Sequence, residues 1–295
     1  MIIITGQTAT GKTKLALELA KKLNGELINF DSRQIYKYLD IITGKDKDAL
    51  TMKQWKNVTI WLYDIVTPDQ YFSSFDFIQL VKPIIKDIED RGKTPILVGG
   101  TYLYLKHLLY GINDNNSPPD FKLREKLNSK PVNYLQKILI KLNKTAFENL
   151  NHSDQLNPRR LIRKIEIETG VKIENRARPS PSGAGFGLRR QVPFQFKIIG
   201  LKYRNKSKLR QAIKERVKER LKNGAVDEVK KLLKLGYMSN DPGLKTIGYQ
   251  QIIKYLNKEL TKKKAIEDWE NKEVQYAKRQ LTFMKKDKNI KWKEI

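Results

Sequence analysis

The sequence predicts an α/β fold, a parallel sheet flanked by helices and interrupted by a helical insertion. Three observations carry this. Short apolar runs alternate with amphipathic stretches of helical period over residues 2–111, and strands linked through helices lie parallel with both sheet faces covered. The first apolar run, Ile2–Thr5, leads through a glycine-containing loop straight into a helix, as in phosphate-binding α/β cores. A polar, proline-containing stretch at Asn113–Pro119 then opens a region that reads as helix only, until a strand-like run returns at Phe196–Gly200.

The elements follow in order. Ile2–Thr5 is a fully apolar strand. Lys14–Leu23 has Leu15, Leu19 and Leu23 four residues apart and is ended by Gly25, so it reads as a helix. Glu26–Phe30 and Thr59–Val66 read as the second and third strands. Phe75–Arg91 is a helix with Ile78, Val81, Ile85 and Ile88 on one face, stopped by Gly92. Thr94–Val98 is a buried strand followed by Gly99-Gly100, and Thr101–Tyr110 is a helix closed by Gly111. Residues 120–170 are helical, and Arg176–Pro193, rich in Gly, Pro, Ser and Arg, reads as a loop. After the returning strand come helices at Lys206–Asn223, Ala225–Leu235, Thr246–Leu256 and Lys262 to about Lys286. The expected domains are a core of residues 1–113 and 195–295 and a helical insertion of residues 114–194.

Composition bounds the function. With 39% hydrophobic and 31% charged residues among 295, the balance is that of a folded soluble chain. No apolar run approaches the roughly 18 residues of a membrane span, and no signal peptide is expected from the first residues. The absence of cysteine excludes disulfides and thiolate metal sites and points to a reducing, cytoplasmic compartment; a monomer is expected. Lys plus Arg is 59 against 32 acids, a net charge of +27. A lysine-rich proteome would give such an excess, and so would a polyanion partner drawn in by a positive field. The uneven distribution favours the partner: Leu201–Leu235 holds 13 Lys/Arg against 4 Asp/Glu.

The strongest local motif is Gly6-Gln7-Thr8-Ala9-Thr10-Gly11-Lys12-Thr13, which fits G-x-x-x-x-G-K-[ST] between a strand and a helix. Its chemistry is electrostatic. The glycines let backbone amides close around phosphate, the helix N-terminus adds about half a positive charge, Lys12 adds a full one, and Thr13 can hold Mg²⁺. Such a loop recognises linked phosphates without requiring a nucleoside triphosphate. The acid that a nucleotide hydrolase places at the end of another strand is missing, because Pro95–Val98 runs into Gly99-Gly100-Thr101. Asp64 is a possible substitute and keeps a small-molecule kinase reading open. Asp31 falls just after the second strand, where open α/β sheets carry their active sites, although an isolated aspartate there also suits a turn or a helix cap. By the same token Thr101 suits a plain N-cap.

Several blocks then occur in one order: Gly6–Thr13; Asp31-Ser32-Arg33-Gln34-Ile35-Tyr36; Leu97-Val98-Gly99-Gly100-Thr101-Tyr102-Leu103-Tyr104; Asn157-Pro158-Arg159-Arg160-Leu161-Ile162-Arg163; Arg216 with Gly224-Ala225-Val226-Asp227-Glu228-Val229; Ile247-Gly248-Tyr249; and Tyr276-Ala277-Lys278-Arg279-Gln280. Over residues 2–283 this series resembles the tRNA dimethylallyltransferases. The resemblance implies a P-loop-type core whose loop takes the diphosphate of dimethylallyl diphosphate, with Mg²⁺ on Thr13. It implies prenyl transfer to N6 of the adenine on the 3′ side of the tRNA anticodon, with Asp31 as general base and Lys12, Thr101 and Arg216 serving the reaction. It also implies tRNA contacts at Asp31, Ser32, Arg33, Gln34 and Thr101, at Arg124, at Arg159, Arg160, Leu161, Ile162 and Arg163, and at Lys245, Thr246, Ile247, Gly248, Tyr249 and Gln250. Without the resemblance, the arginines at 159, 160 and 163 equally suit a solvated helix face or pairing with Glu166 or Glu168. Two positions depart from the pattern: Val274, where arginine is usual, and Phe283, where tryptophan is common. Both bear on an RNA contact of the last helix. A small-molecule kinase, a prenyltransferase acting on free AMP, and a non-catalytic RNA-binding protein remain as alternatives.

Overall fold

The computed structural model describes residues 1–45, 58–111, 119–177 and 195–295, and divides the chain into two compact units, Met1–Leu109 with Gln191–Ile295, and Tyr110–Arg190. The first unit holds a six-stranded, all-parallel sheet: β1 (Ile2–Gly6), β2 (Gly25–Asn29), β3 (Ile60–Trp61), β4 (Thr94–Val98), β5 (Lys197–Lys202) and β6 (Ile290–Glu294), in the order β3-β2-β4-β1-β5-β6. Register decides what the sheet does. Ile4 pairs with Val98, Asn29 with Val98 and Gly6 with Leu201. The carboxyl ends of β1, β2, β4 and β5 are therefore level, and the loops leaving them share one rim.

The helix after the glycine loop, α1 (Lys12–Lys22), lies on the sheet through Ala16, Leu17 and Ala20, which pack with Ile4, Leu27, Ile96 and Val98. Alanines on that face bring the helix axis close to the strands; Leu15 and Leu19, whose spacing marked the helix in the sequence, lie at its margin. Next come α2 (Ser74–Asp90), opened by a capping box in which Ser73 and Asp76 satisfy each other's backbone amides, and α3 (Tyr102–Tyr110). The carboxyl-terminal helices α9 (Lys206–Lys222), α10 (Ala225–Lys234), α11 (Tyr249–Leu256) and α12 (Lys262–Met284) enclose a second core with Ile213, Val217, Val229, Leu232, Ile252 and Trp269.

The second unit is helical among its described residues: α4 (Phe121–Asn128), α5 (Val132–Leu142), α6 (Lys144–Glu148), α7 (His152–Gln155) and α8 (Pro158–Ala177). Its core is Leu127, Leu135, Leu139, Leu161, Ile162 and Ile165.

The structure corrects several expectations. The third strand is two residues long rather than spanning Thr59–Val66, because Leu62 and Asp64 take φ values of 66° and 58° and turn the chain out of the ladder. The helix expected from Thr246 starts at Tyr249, since Gly248 has φ 98° and its N–H donates to the Gln251 side chain at 2.7 Å. Arg176 and Ala177, read as loop, complete α8; the remainder of that loop, and nearly all of the Asn113–Pro119 border, lies outside the described residues. Strand β6 was not expected. It is a short edge strand in which lysines alternate with Ile290 and Trp292, and charged edges of this kind discourage further pairing. It fits because Gly200 on β5 leaves room for Trp292, whose ring would lie 2.8 Å from a Cβ there.

Candidate active site

The glycine loop leaves β1 with two residues in left-handed backbone, Ala9 at φ 62° and Gly11 at φ 74°. It is braced from several sides. The Gln7 side chain accepts the Tyr203 N–H at 3.0 Å, and the Tyr203 hydroxyl donates to the Ala9 carbonyl at 2.6 Å. Thr10 donates to the Gln7 carbonyl at 2.8 Å. The Thr8 N–H donates to Gln280 Oε1 at 2.9 Å, while Gln280 Nε2 donates to the Gly100 carbonyl at 3.0 Å. One buried amide on α12 thus ties the phosphate loop to the double glycine at the end of β4.

The basic groups of the loop are desolvated. Lys12 donates to the carbonyls of Gln7 at 2.6 Å and Gly6 at 3.2 Å. Burial, reinforced by the neighbouring Arg216 guanidinium, pulls its pKa down to about 8, against the opposing pull of Asp31 and Glu273. Arg216 on α9 donates to the Thr8 hydroxyl and, at 3.5 Å, to the Thr43 carbonyl. Behind it Arg220 pairs with Glu273 at 3.2 Å, and burial followed by the Arg216 charge lowers its pKa to about 10. Thr13, in the first turn of α1, is half-buried.

Asp31 follows β2 at the rim where the glycine loop leaves β1. Its backbone N–H donates to Asn29 Oδ1 at 2.9 Å, and its Oδ1 accepts the Arg33 N–H at 3.0 Å. The double glycine explains its placement. A Cβ on Gly99 would lie 2.7 Å from the Phe30 carbonyl carbon and 2.8 Å from the Asp31 nitrogen. A Cβ on Gly100 would collide with the Gln280 amide and stand 3.5 Å from Asp31 Oδ2. The two strand ends approach this closely only without side chains there. Thr101 Oγ1 accepts the Ser32 N–H at 2.9 Å and lies 3.1 Å from Ser32 Oγ, so its hydroxyl bridges the two loops rather than simply capping α3. Tyr276 on α12 shares a hydrogen bond with Thr101, and burial, then the Asp31 charge, raises its pKa and keeps it neutral.

The segment after Asp31 is equally fixed. Gln34 Nε2 donates to the carbonyls of Gly44 at 2.8 Å and Thr43 at 3.3 Å, and Arg33 donates to the Pro242 carbonyl at 3.4 Å. A metal role for Asp64 finds no support, because its carboxylate holds the buried Lys45 ammonium at 2.7 Å.

The model of the IPP transferase family matches residues 34–287. Curated relatives named tRNA dimethylallyltransferase agree. That of Thermoanaerobacter sp. (strain X514) is 38% identical over 99% of this chain and 90% of its own length, and that of Clostridioides difficile (strain 630) is 37% identical over 100% and 91%. The chain belongs to the IPP transferase family. Solved structures concur: a tRNA isopentenylpyrophosphate transferase of Bacillus halodurans matches with TM-score 0.69 and 33% identity, covering 99% of this chain and 89% of that one. A eukaryotic dimethylallyltransferase described as acting on tRNA matches with TM-score 0.78 and 26% identity, over 100% and 73%. The enzyme is a prenyltransferase with the α/β P-loop architecture of those relatives.

In the helical unit of this IPP transferase, three of the four arginines expected on RNA are engaged by carboxylates. Arg124 pairs with Glu166 at 2.8 Å, Arg163 pairs with it at 2.6 Å, and the Asp120 N–H donates to it at 2.6 Å. Burial would raise the Glu166 pKa, yet the Arg124, Arg163 and backbone hydrogen bonds together lower it. Arg160 is exposed and reaches Asp154 at 2.8 Å; Arg159 is exposed. Leu161 and Ile162, expected at the tRNA, are 0% and 3% exposed in the unit's core, where their side chains hold α8 in place. Tyr249 is 0% exposed with its hydroxyl on Glu228, and Thr246 is buried with its hydroxyl on the Gly243 carbonyl at 2.6 Å. Gly248 is buried, Ile247 and Gln250 are half-buried, and Lys245 presents an exposed charge. The departures also have structural answers: Val274 fills the carboxyl-terminal core at 5% exposure, and Phe283 meets Tyr102 edge-on with centroids 5.2 Å apart.

Gln280, Tyr203, Tyr276, Arg220 and Glu273 were not singled out for the site by sequence. Tyr203 follows β5 at the same rim as Gly6, and the strand order, invisible in sequence, is the signal that would have found it.

Proposed function

We propose that this enzyme transfers a dimethylallyl group from dimethylallyl diphosphate to N6 of the adenine 3′-adjacent to the anticodon of tRNA, releasing diphosphate. The observation that carries this is the Gly99-Gly100 contact: it sets a carboxylate and a hydroxyl, Asp31 and Thr101, at strand ends that Gln280 ties to the phosphate loop, while β4 ends without a hydrolase acid. The amine nitrogen attacks the allylic carbon, the carbon–oxygen bond to diphosphate breaks, and Asp31 takes the proton that leaves nitrogen. Lys12, the loop amides and Arg216 stabilise the charge growing on diphosphate. Thr101, linked to Ser32 and Tyr276, orients the amine or the bridging oxygen.

Prenyltransferases of this kind generally use a divalent metal, and we assign Mg²⁺ to Thr13. Among the described residues no group of three His, Cys, Asp or Glu side chains could hold a metal. A single hydroxyl beside substrate phosphates and water suits Mg²⁺, which commonly binds in that way and would neutralise part of the leaving charge.

Ser32, Arg33 and Gln34 would meet the adenine once it is taken out of its stack. Arg124, Arg159, Arg160 and Arg163 would meet the anticodon stem through their guanidiniums, as would the Lys245–Gln250 segment through Lys245. No described helix is long and apolar enough to cross a membrane, and we read the enzyme as a cytoplasmic monomer. The test is transfer of labelled prenyl group to an anticodon stem-loop, with competition by pyrophosphate and no ATP consumed. ATP turnover coupled to activity would instead support a kinase.

A further inference from the structure

Glu228 stands in the first turn of α10, and no step above uses it. Its carboxylate gathers four donors. Oε2 accepts the backbone N–H groups of Asp40 at 2.9 Å and Ile41 at 2.6 Å; Oε1 accepts the Ile42 N–H at 3.2 Å and the Tyr249 hydroxyl at 2.5 Å. Three successive amides converging on one anion form a nest, which fixes the peptide planes of the turn that supplies them. An ordinary solvated acid at a helix start needs only the helix's own amides and would collect none from a segment 186 residues away.

That turn leads into the active site within two residues. The Thr43 carbonyl accepts Arg216 Nη2 at 3.5 Å, and the carbonyls of Thr43 and Gly44 accept Gln34. Gly44, at φ 67°, lies flat against both guanidiniums: a Cβ there would be 2.9 Å from Arg220 Nη2 and 3.0 Å from Arg216 Nη2. Leu39 and Ile42, 0% and 1% exposed, anchor where the turn sits, but apolar contacts are non-directional and do not aim its carbonyls. The turn's own bonds, Gly44 N–H to the Ile41 carbonyl at 3.1 Å and Lys45 N–H to the Asp40 carbonyl at 3.0 Å, fix its shape, and the Glu228 carboxylate fixes its orientation on α10 through directional bonds to charged acceptor oxygens.

We propose that Glu228 is a positioning residue for the donor site. It sets the turn of residues 40–44, and through that turn it aims Arg216 at the phosphate loop and Gln34 toward the acceptor. The inference rests on the diphosphate reading of the loop, so the experiment measures that separately. Inorganic pyrophosphate with Mg²⁺ is titrated calorimetrically into the full chain as wild type, Glu228→Gln, Arg216→Ala and the double variant, below the melting temperature of each. Glu228→Gln is expected to weaken pyrophosphate on the order of tenfold, and to add nothing once Arg216 is alanine, because coupled residues are non-additive. Equal weakening in both backgrounds, or a lowered melting temperature with unchanged affinity, would mean that Glu228 only supports the fold and would overturn the proposal. If Glu228→Gln does not fold, Tyr249→Phe, which deletes one donor to the same carboxylate, is read by the same cycle, with a loss of about twofold to fivefold that also vanishes without Arg216. No pyrophosphate binding by the wild type would overturn the diphosphate reading and this inference together.

Discussion

Asp31 and Lys12 illustrate how single residues acquire function here from what surrounds them. Asp31 is held by its own backbone turn, with Oδ2 facing Gly100, and the proposed general-base role requires the amine to arrive beside it. Asp31→Ala is expected to lower the single-turnover rate by on the order of 10²–10⁴ while leaving tRNA affinity nearly unchanged. Retention of more than a tenth of the wild-type rate would remove it as the general base. Lys12 makes a second, pH-dependent prediction. With its pKa near 8 in the folded enzyme against an ordinary 10.5, it loses its charge as pH rises through 8, so pyrophosphate affinity should fall there. Lys12→Ala should lack that component of the pH profile. The sign for stability is the reverse. The unfolded chain binds more protons between pH 8 and 10.5, so this group favours folding as pH rises through that window.

At the scale of elements, α8 and α12 do different work. On α8 the apolar residues at 161, 162 and 165 face the core of the helical unit, which leaves 159, 160 and 163 on the other faces. Arg160→Ala should raise the tRNA half-saturation, leave that of dimethylallyl diphosphate unchanged, and make the slope of log affinity against log salt shallower by roughly 0.7–0.9 if one phosphate contact is lost. An unchanged slope with unchanged tRNA affinity would return Arg160 to an ordinary ion pair with Asp154. On α12 the buried Gln280 clamps the phosphate loop to Gly100. Gly100→Ala should therefore slow transfer by driving the Gln280 amide away, and adding it to Gln280→Ala should cost little more, since the clamp it displaces is already gone. A full further loss in the double variant would place the defect at Asp31 instead.

Across the sheet as a whole, stability and chemistry sit at opposite ends of the strands. At the amino ends, buried Glu26 on β2 binds Arg91 at 2.5 Å and Lys93 at 2.7 Å and accepts the Trp61 indole N–H at 2.8 Å, tying β2, β3 and the turn before β4 together. The Arg91 hydrogen bond leads the lowering of its pKa to about 2, against burial and helped by Lys93 and Trp61. A depressed carboxylate stabilises the fold above its ordinary pKa of 4.5 and loses that contribution as pH falls toward 2. Glu26→Gln should cost about 1–3 kcal/mol in urea unfolding at neutral pH, allowing for solvent around its half-exposed partners, and the difference should close between pH 4.5 and 2. A constant difference across that range would assign the loss to packing.

Much of this enzyme was legible in one dimension. The strand–loop–helix at Ile2–Lys22 announces itself because local backbone requirements, left-handed glycine and an apolar strand, are written in adjacent residues. Periodicity located the long helices for the same reason. The family blocks supplied Asp31, Thr101 and Arg216. What sequence could not rank was which neighbours in a block face a ligand: Leu161, Ile162 and Tyr249 sit among polar residues in matching segments, yet are buried. Strand order decided the rest. Placing β4 between β1 and β2 brings Gly99 against Asp31, and placing β5 beside β1 brings Tyr203 onto the loop. Local propensity belongs to the chain. The convergence of residues 8, 31, 100, 216, 228 and 280 belongs to long-range packing, because their contacts exist only after distant segments have been folded onto one sheet.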